Sequence, residues 1–177
     1  MRFVRALLIA LVVLAVVVLA AGLFLPKTAH VERSVVIDAP PAAIYEVVSS
    51  MRRFNEWSPW VERDPDARYE YMGPPTGVGA KMSWSSDQAD VGSGSQEIIA
   101  AEPDRSVTTR LDFGAEGDAN ATLTIEPQGD ASKVTWSFDA SFEDDYFGRY
   151  FGALLDGLLG PDYEKGLAKL KTVVEQG

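Results

Sequence analysis

KVTWSFDASF, residues 133–142, alternates without a slip. Val134, Trp136, Phe138, Ala140 and Phe142 fall on one side, and Lys133, Thr135, Ser137, Asp139 and Ser141 on the other. Successive side chains of a strand point to opposite faces, so this period marks a sheet with one apolar face and one wet face. Working back from it, five more short runs read as strands: 67–72, 79–86, 94–101, 106–113 and 120–126. Their connectors, GPPTG, DQADVGSG, EPDR, GAEGD and PQGDAS, are short and rich in turn residues. Sequence neighbours are therefore expected to pair as an antiparallel meander. Further upstream, VERSVVIDA from Val31 reads as a first strand. Asp38-Ala39-Pro40-Pro41 then opens a short helix over 42–50, and a second short helix over 51–57 stops before Pro59.

A seven-stranded sheet with one apolar face needs cover. The chain ends in helix. Residues 146–159 are apolar and interrupted by glycine, Gly160-Pro161 is expected to break the run, and Pro161 to open a last helix. There Tyr163, Leu167, Leu170 and Val174 form one stripe, with Lys165, Lys169 and Glu175 off it. The expected class is α+β: a curved antiparallel sheet of seven strands around a long C-terminal helix, with two short helices after the first strand.

The inward face is apolar and aromatic. Tyr69 and Tyr71 share a face, as do Met82 and Trp84. Val107, Thr109, Leu111 and Phe113 face in, as do Leu123 and Ile125, while Arg110 and Asp112 face out and Glu97 is ambiguous. A register slip of one residue would turn Arg110 inward. NEWSPW, residues 55–60, adds two tryptophans after the short helices. Such a face either packs solid or encloses a ligand. In the second case the candidate contacts are Trp57, Trp60, Tyr69, Met82, Trp84 and Ile98, then Thr109, Leu111, Trp136, Phe138, Leu155 and Leu159.

The start of the chain differs. Arg2 and Arg5 precede an unbroken apolar run from Ala6 to Leu25, closed by Pro26. About 20 residues at about 1.5 Å each span a bilayer core. Ala20-Ala21-Gly22 imitates a cleavage site, but Leu23-Phe24-Leu25 carry the apolar run past it. Residues 1–5 are expected to be cytoplasmic, 6–26 to be an uncleaved signal-anchor, and 27–177 to form a domain facing the periplasm or cell exterior from the inner membrane.

Composition and residue types exclude several functions. From residue 27 onward there are 14 basic and 26 acidic residues, which leaves no basic footprint for nucleic acid. Without cysteine there is no disulfide, thiol nucleophile or thiolate metal site. His30 is the single histidine and reads as juxtamembrane linker, so a histidine triad or a zinc site lacks its ligands. Glu143-Asp144-Asp145 reads as a solvated turn, and GPPTGVG lacks the Gly-Lys-Ser/Thr of a phosphate loop. No catalytic set, metal or cofactor is expected.

Several motifs in this order point further: APPAAIYEVV, NEWSPW, VGAKMSW, VGSGSQEI, KVTW and GPDYEKGLAKLK. Together, over about residues 31–175, they resemble the START-like SRPBCC superfamily. The narrower likeness is to its polyketide cyclase/dehydrase and lipid-transport branch in membrane-anchored form. The resemblance implies a helix-grip fold and a deep cavity between sheet and helix, closed by the short helices and loops. It implies a binding domain for a hydrophobic small molecule or lipid. A cyclase/dehydrase-type enzyme would also need an ionisable pair inside the cavity. A filled cavity would instead fit a domain that binds an envelope protein.

Overall fold

The computed structural model describes residues 2–177. The apolar start forms helix α1 (Arg2–Gly22). It is the one helix among the described residues long and apolar enough to cross a membrane, and its side chains are exposed up to Ala21, with only Gly22 buried. Strand β1 (Thr28–Ile37) follows, then the short helices α2 (Pro41–Val48) and α3 (Met51–Trp57). The meander is β2 (Arg68–Met72), β3 (Lys81–Ser85), β4 (Ser93–Glu102), β5 (Ser106–Asp112), β6 (Asp118–Gln128) and β7 (Ala131–Ser141). Helices α4 (Gly148–Gly152) and α5 (Leu155–Gln176) end the chain.

The seven strands form one antiparallel sheet in the order β1-β7-β6-β5-β4-β3-β2. The expected faces hold. Val134, Trp136 and Phe138 are buried on β7, whereas Arg110 and Asp112 are exposed on β5. Helix α5 lays Tyr163, Leu167 and Leu170, each almost fully buried, into the open side of the sheet. The buried hydrophobic residues run from Ala29 to Leu170, so the domain from Thr28 onward closes its core without α1.

Several local features differ from or add to the expectations. Strand β1 begins at Thr28 rather than Val31, and His30 belongs to it rather than to a linker. Its Nδ1 lies 2.7 Å from Asp139 Oδ1 on β7, where the two residues are register partners. Strand β4 carries a bulge between Ile98 and Ala100, which bends the sheet and leaves Ile99 exposed.

Another change concerns Pro161, which does not break the last helix; α5 runs through it. An interior proline gives up one backbone hydrogen bond and crowds the preceding turn. Here a tertiary clamp holds that turn. Arg33 Nη1 lies 2.8 Å from Asp156 Oδ1, and its Nε 2.8 Å from Glu164 Oε1. Between these carboxylates, Gly160 leaves the guanidinium its path, since a Cβ there would meet Arg33 Cζ at 2.7 Å. The expected helix over 146–159 is instead split by a turn at 153–154.

Candidate functional site

Sheet, α3 and α5 do not fill the space between them. A cavity of about 640 Å³ remains, within the range of small-molecule sites. The hollowing comes from small residues on the inner face. Across the sheet, Leu111 stands opposite Ala119 and Ala119 opposite Ala140; Thr109 stands opposite Ala121. All of these line the cavity. A leucine or phenylalanine at the three alanines would occupy the space.

One end is closed by an aromatic cluster built on Trp136. Its ring stacks on Tyr163 at 3.8 Å and meets Trp57 edge-on at 5.1 Å and Trp60 at 6.1 Å. Gly166 of α5 permits this close approach, since a Cβ there would lie 2.8 Å from Trp136 Cζ3 and 3.2 Å from Pro59. Thus NEWSPW plugs one end of the core and also forms cavity wall. At the other side Trp84 meets Phe113 edge-on at 6.0 Å, and its Nε1 donates to the Val91 carbonyl at 3.2 Å.

The candidate residues come together with one exception. Trp57, Trp60, Tyr69, Met82, Trp84 and Thr109 line the cavity, as do Leu111, Trp136, Phe138, Leu155 and Leu159. Ile98 does not; it is fully buried beside the β4 bulge and belongs to the solid part of the core. All four tryptophans of the chain are wall residues.

Polar residues of the wall were the part missed. Gln96 is buried to 4% exposure, and its Nε2 has no partner. Trp57 Nε1 and Asn55 Oδ1 are likewise buried and unpartnered, although Asn55 Nδ2 donates to the Tyr71 hydroxyl. Counting back in twos from Ile98 would have found Gln96, because both point inward from β4. Thr109, by contrast, is satisfied: its hydroxyl donates to the Ala121 carbonyl at 3.3 Å.

Among the described residues no lysine, arginine or histidine lines the cavity. Asp90, Asp118 and Asp145 touch it, and all three are exposed residues at its edge. Arg110 turns outward to bridge Asp118, and Glu97 faces Lys81 on the outer surface. Burial holds the Tyr163 phenol well above its usual pKa, so it remains neutral in the wall. Tyr69 is shifted the same way, first by burial and then by Tyr71. Among the described residues no group of histidines and carboxylates is arranged to hold a metal ion. The arrangement suits holding an apolar body and offers it a few uncharged hydrogen-bonding atoms.

Solved structures share this architecture. A protein from Chromobacterium violaceum aligns with a TM-score of 0.58 at 17% identity, over 85% of this chain and 98% of its own. One from Thermobifida fusca gives 0.64 at 16%, over 83% and 93%. Norcoclaurine synthase from Thalictrum flavum, solved with dopamine and hydroxybenzaldehyde, gives 0.62 at 15%, over 84% and 87%. At these identities the likeness shows a common fold. No curated protein sequence matches the chain. The sequence profile described as "Polyketide cyclase / dehydrase and lipid transport" matches residues 28–175, the whole of the sheet and nearly all of α5. The chain therefore belongs to the polyketide cyclase/dehydrase and lipid transport family.

Proposed function

We propose that this chain is a membrane-anchored domain that holds a hydrophobic small molecule or lipid on the extracytoplasmic side. The hollow, tryptophan-lined interior carries the reading. A void of this size in a water-soluble core forfeits packing contacts that a guest restores.

The chain's layout supports a bilayer as the source of the guest. Only residues 23–27 separate α1 from β1, a reach of at most about 22 Å. The Phe142 N–H donates to the Lys27 carbonyl, which ties that linker to the far end of β7. The segment that follows β7 carries Phe147, Phe151, Leu154 and Leu158, all exposed. Beside them Phe151, Leu155 and Leu159 line the cavity. The Tyr146 and Tyr150 hydroxyls donate to the Leu19 and Val18 carbonyls in the last turn of α1. Tyrosines are at home at the headgroup level of a bilayer. These contacts support the reading in which the cavity edge formed by α4 and the start of α5 faces the bilayer.

Topology is tested by labelling. The chain has no cysteine, so Gly177→Cys supplies a single thiol. Reaction with an impermeant maleimide on intact spheroplasts, with the protein retained in membranes through a carbonate wash and its mass including residues 1–22, is the expected result. Labelling only after lysis reverses the orientation. A mature mass starting after Gly22 removes the anchor.

A further inference from the structure

One end of the sheet combines two unlike surfaces beside α1. Thr28 pairs with Ser141, Ser85 with Ser93 and Asp112 with Asp118. The β3–β4, β5–β6 and β7–α4 connections therefore all leave the sheet at the end where β1 starts. Residues 23–27 keep that end within about 22 Å of the last turn of α1. The first surface is apolar. Phe147, Phe151, Leu154 and Leu158 are exposed in one short stretch, and large apolar side chains gathered in this way mark an interaction surface.

The second surface is acidic. Asp87 and Asp90 lie in the first connection, Asp112 and Asp118 bound the second, and Glu143-Asp144-Asp145 lie in the third, all of them exposed. None of the three connections contains a lysine, arginine or histidine. Against these acids stand Lys27, Arg110, which bridges Asp118, and Arg149, whose guanidinium is turned onto the Phe142 and Glu143 carbonyls.

The neighbour of the apolar stretch decides its occupant. The Tyr146 and Tyr150 hydroxyls tie α4 and the segment before it to the Leu19 and Val18 carbonyls of α1. With α1 across a bilayer, the leaflet surface lies at that turn, and a protein partner would have to wedge between leaflet and domain. A zwitterionic surface lets the phenylalanines and leucines settle at the interface. An anionic surface carries a negative potential over about one Debye length, roughly 8–10 Å, and within that distance it repels the acidic connections.

We infer that the apolar face of α4 and the start of α5 docks on the leaflet that holds α1 when that surface is zwitterionic, and that anionic lipid lifts it off. The charge of the leaflet then sets how closely this end of the domain is held to the membrane. This rests on the reading of α1 as a membrane span and names the kind of lipid surface the domain meets.

The test uses the full-length chain in vesicles. The chain has no cysteine, so Leu154→Cys and, on the turn at the opposite end of the sheet, Asp130→Cys each carry one environment-sensitive dye. Quenching by a spin-labelled lipid reports contact with the bilayer. In phosphatidylcholine vesicles the dye at residue 154 is expected to be quenched at least about threefold more than the dye at residue 130, and Phe147→Ser with Leu158→Ser is expected to remove most of that excess. Adding about 30% phosphatidylglycerol is expected to halve the excess at low ionic strength, and about 0.5 M salt to restore it. Glu143→Gln with Asp144→Asn is expected to blunt the response to phosphatidylglycerol. Equal quenching at the two positions in phosphatidylcholine overturns the inference and leaves the face to a protein partner. Quenching at residue 154 that is indifferent to phosphatidylglycerol, or strengthened by it, overturns it as well. Retention of the chain through a carbonate wash is checked first; a chain lost there removes the anchor reading, and the inference falls with it.

Discussion

Trp136 is where three separated stretches of chain meet: the NEWSPW segment, the last strand and α5. Its inward position is legible from period-two alternation alone, and so are those of Phe138, Met82, Trp84 and Leu111. What alternation cannot supply is which inward residues touch empty space. Ile98 obeys the same period as its neighbours yet lies in solid core, because the bulge one residue later bends β4 around it. Gln96 obeys the period too, but that its side-chain nitrogen is buried without a partner shows only in the packed structure. Trp136→Ala removes a stacked and two edge-on partners, and is expected to cost about 3–5 kcal/mol of unfolding free energy in urea titrations of the domain. A loss below about 1 kcal/mol would mean the cluster is not part of the core. On the surface, Glu62 Oε1 sits 2.6 Å from Lys169 and its Oε2 2.5 Å from Lys165. These two lysines, Lys165 first, hold the Glu62 carboxyl down at about 2. Its contribution is therefore complete above the unfolded pKa of about 4.5 and lost as pH falls toward 2. The Tm difference between native and Glu62→Gln should be constant from pH 7 to 5 and shrink to nothing near pH 2. A difference that grows on acidification contradicts the assignment.

Among the elements, the strands, α3 and the buried stripe of α5 follow from sequence, and the deviations have physical causes. Pro161 reads locally as a helix stop because nothing nearby in sequence shows Arg33. That residue is more than a hundred positions upstream, and its bridges to Asp156 and Glu164 span the turn that the proline weakens. If the clamp holds α5 together there, Arg33→Met should raise amide exchange over residues 156–160 while leaving 167–174 protected. Uniform exchange along α5 would assign continuity to packing alone. The start of β1 was misplaced because His30 looks like linker until Asp139 is placed opposite it. Helix α4 presents the exposed Phe151 at the cavity edge on the side of α1. Replacing Phe147 and Leu154 by serine should slow transfer of a pyrene alcohol from phosphatidylcholine vesicles by at least about fivefold in the full-length protein. Affinity for the probe in solution should stay within about twofold. An unchanged transfer rate would separate these residues, which flank α4, from loading.

At the scale of the whole molecule, the sheet wrapped on a terminal helix was legible because seven alternating runs with short connectors leave one way to cover their apolar face. Whether that grip is filled was not, since a hollow core and a solid one are both written in apolar residues. The difference lies in Ala119, Ala121 and Ala140, small side chains that raise no signal in a sequence yet sit where bulk would close the cavity. Membership in the family covers residues 28–175 and agrees with a domain built to enclose something. The claim on which the rest depends is that the interior is occupied in the cell. Native mass spectrometry of the full-length chain, released gently from its own membranes, tests it. The account predicts an added apolar mass that is lost from folded Trp84→Ala. A chain of bare mass that takes up no alcohol, ketone or lipid offered to it would contradict the account and turn the cavity into mere loose packing.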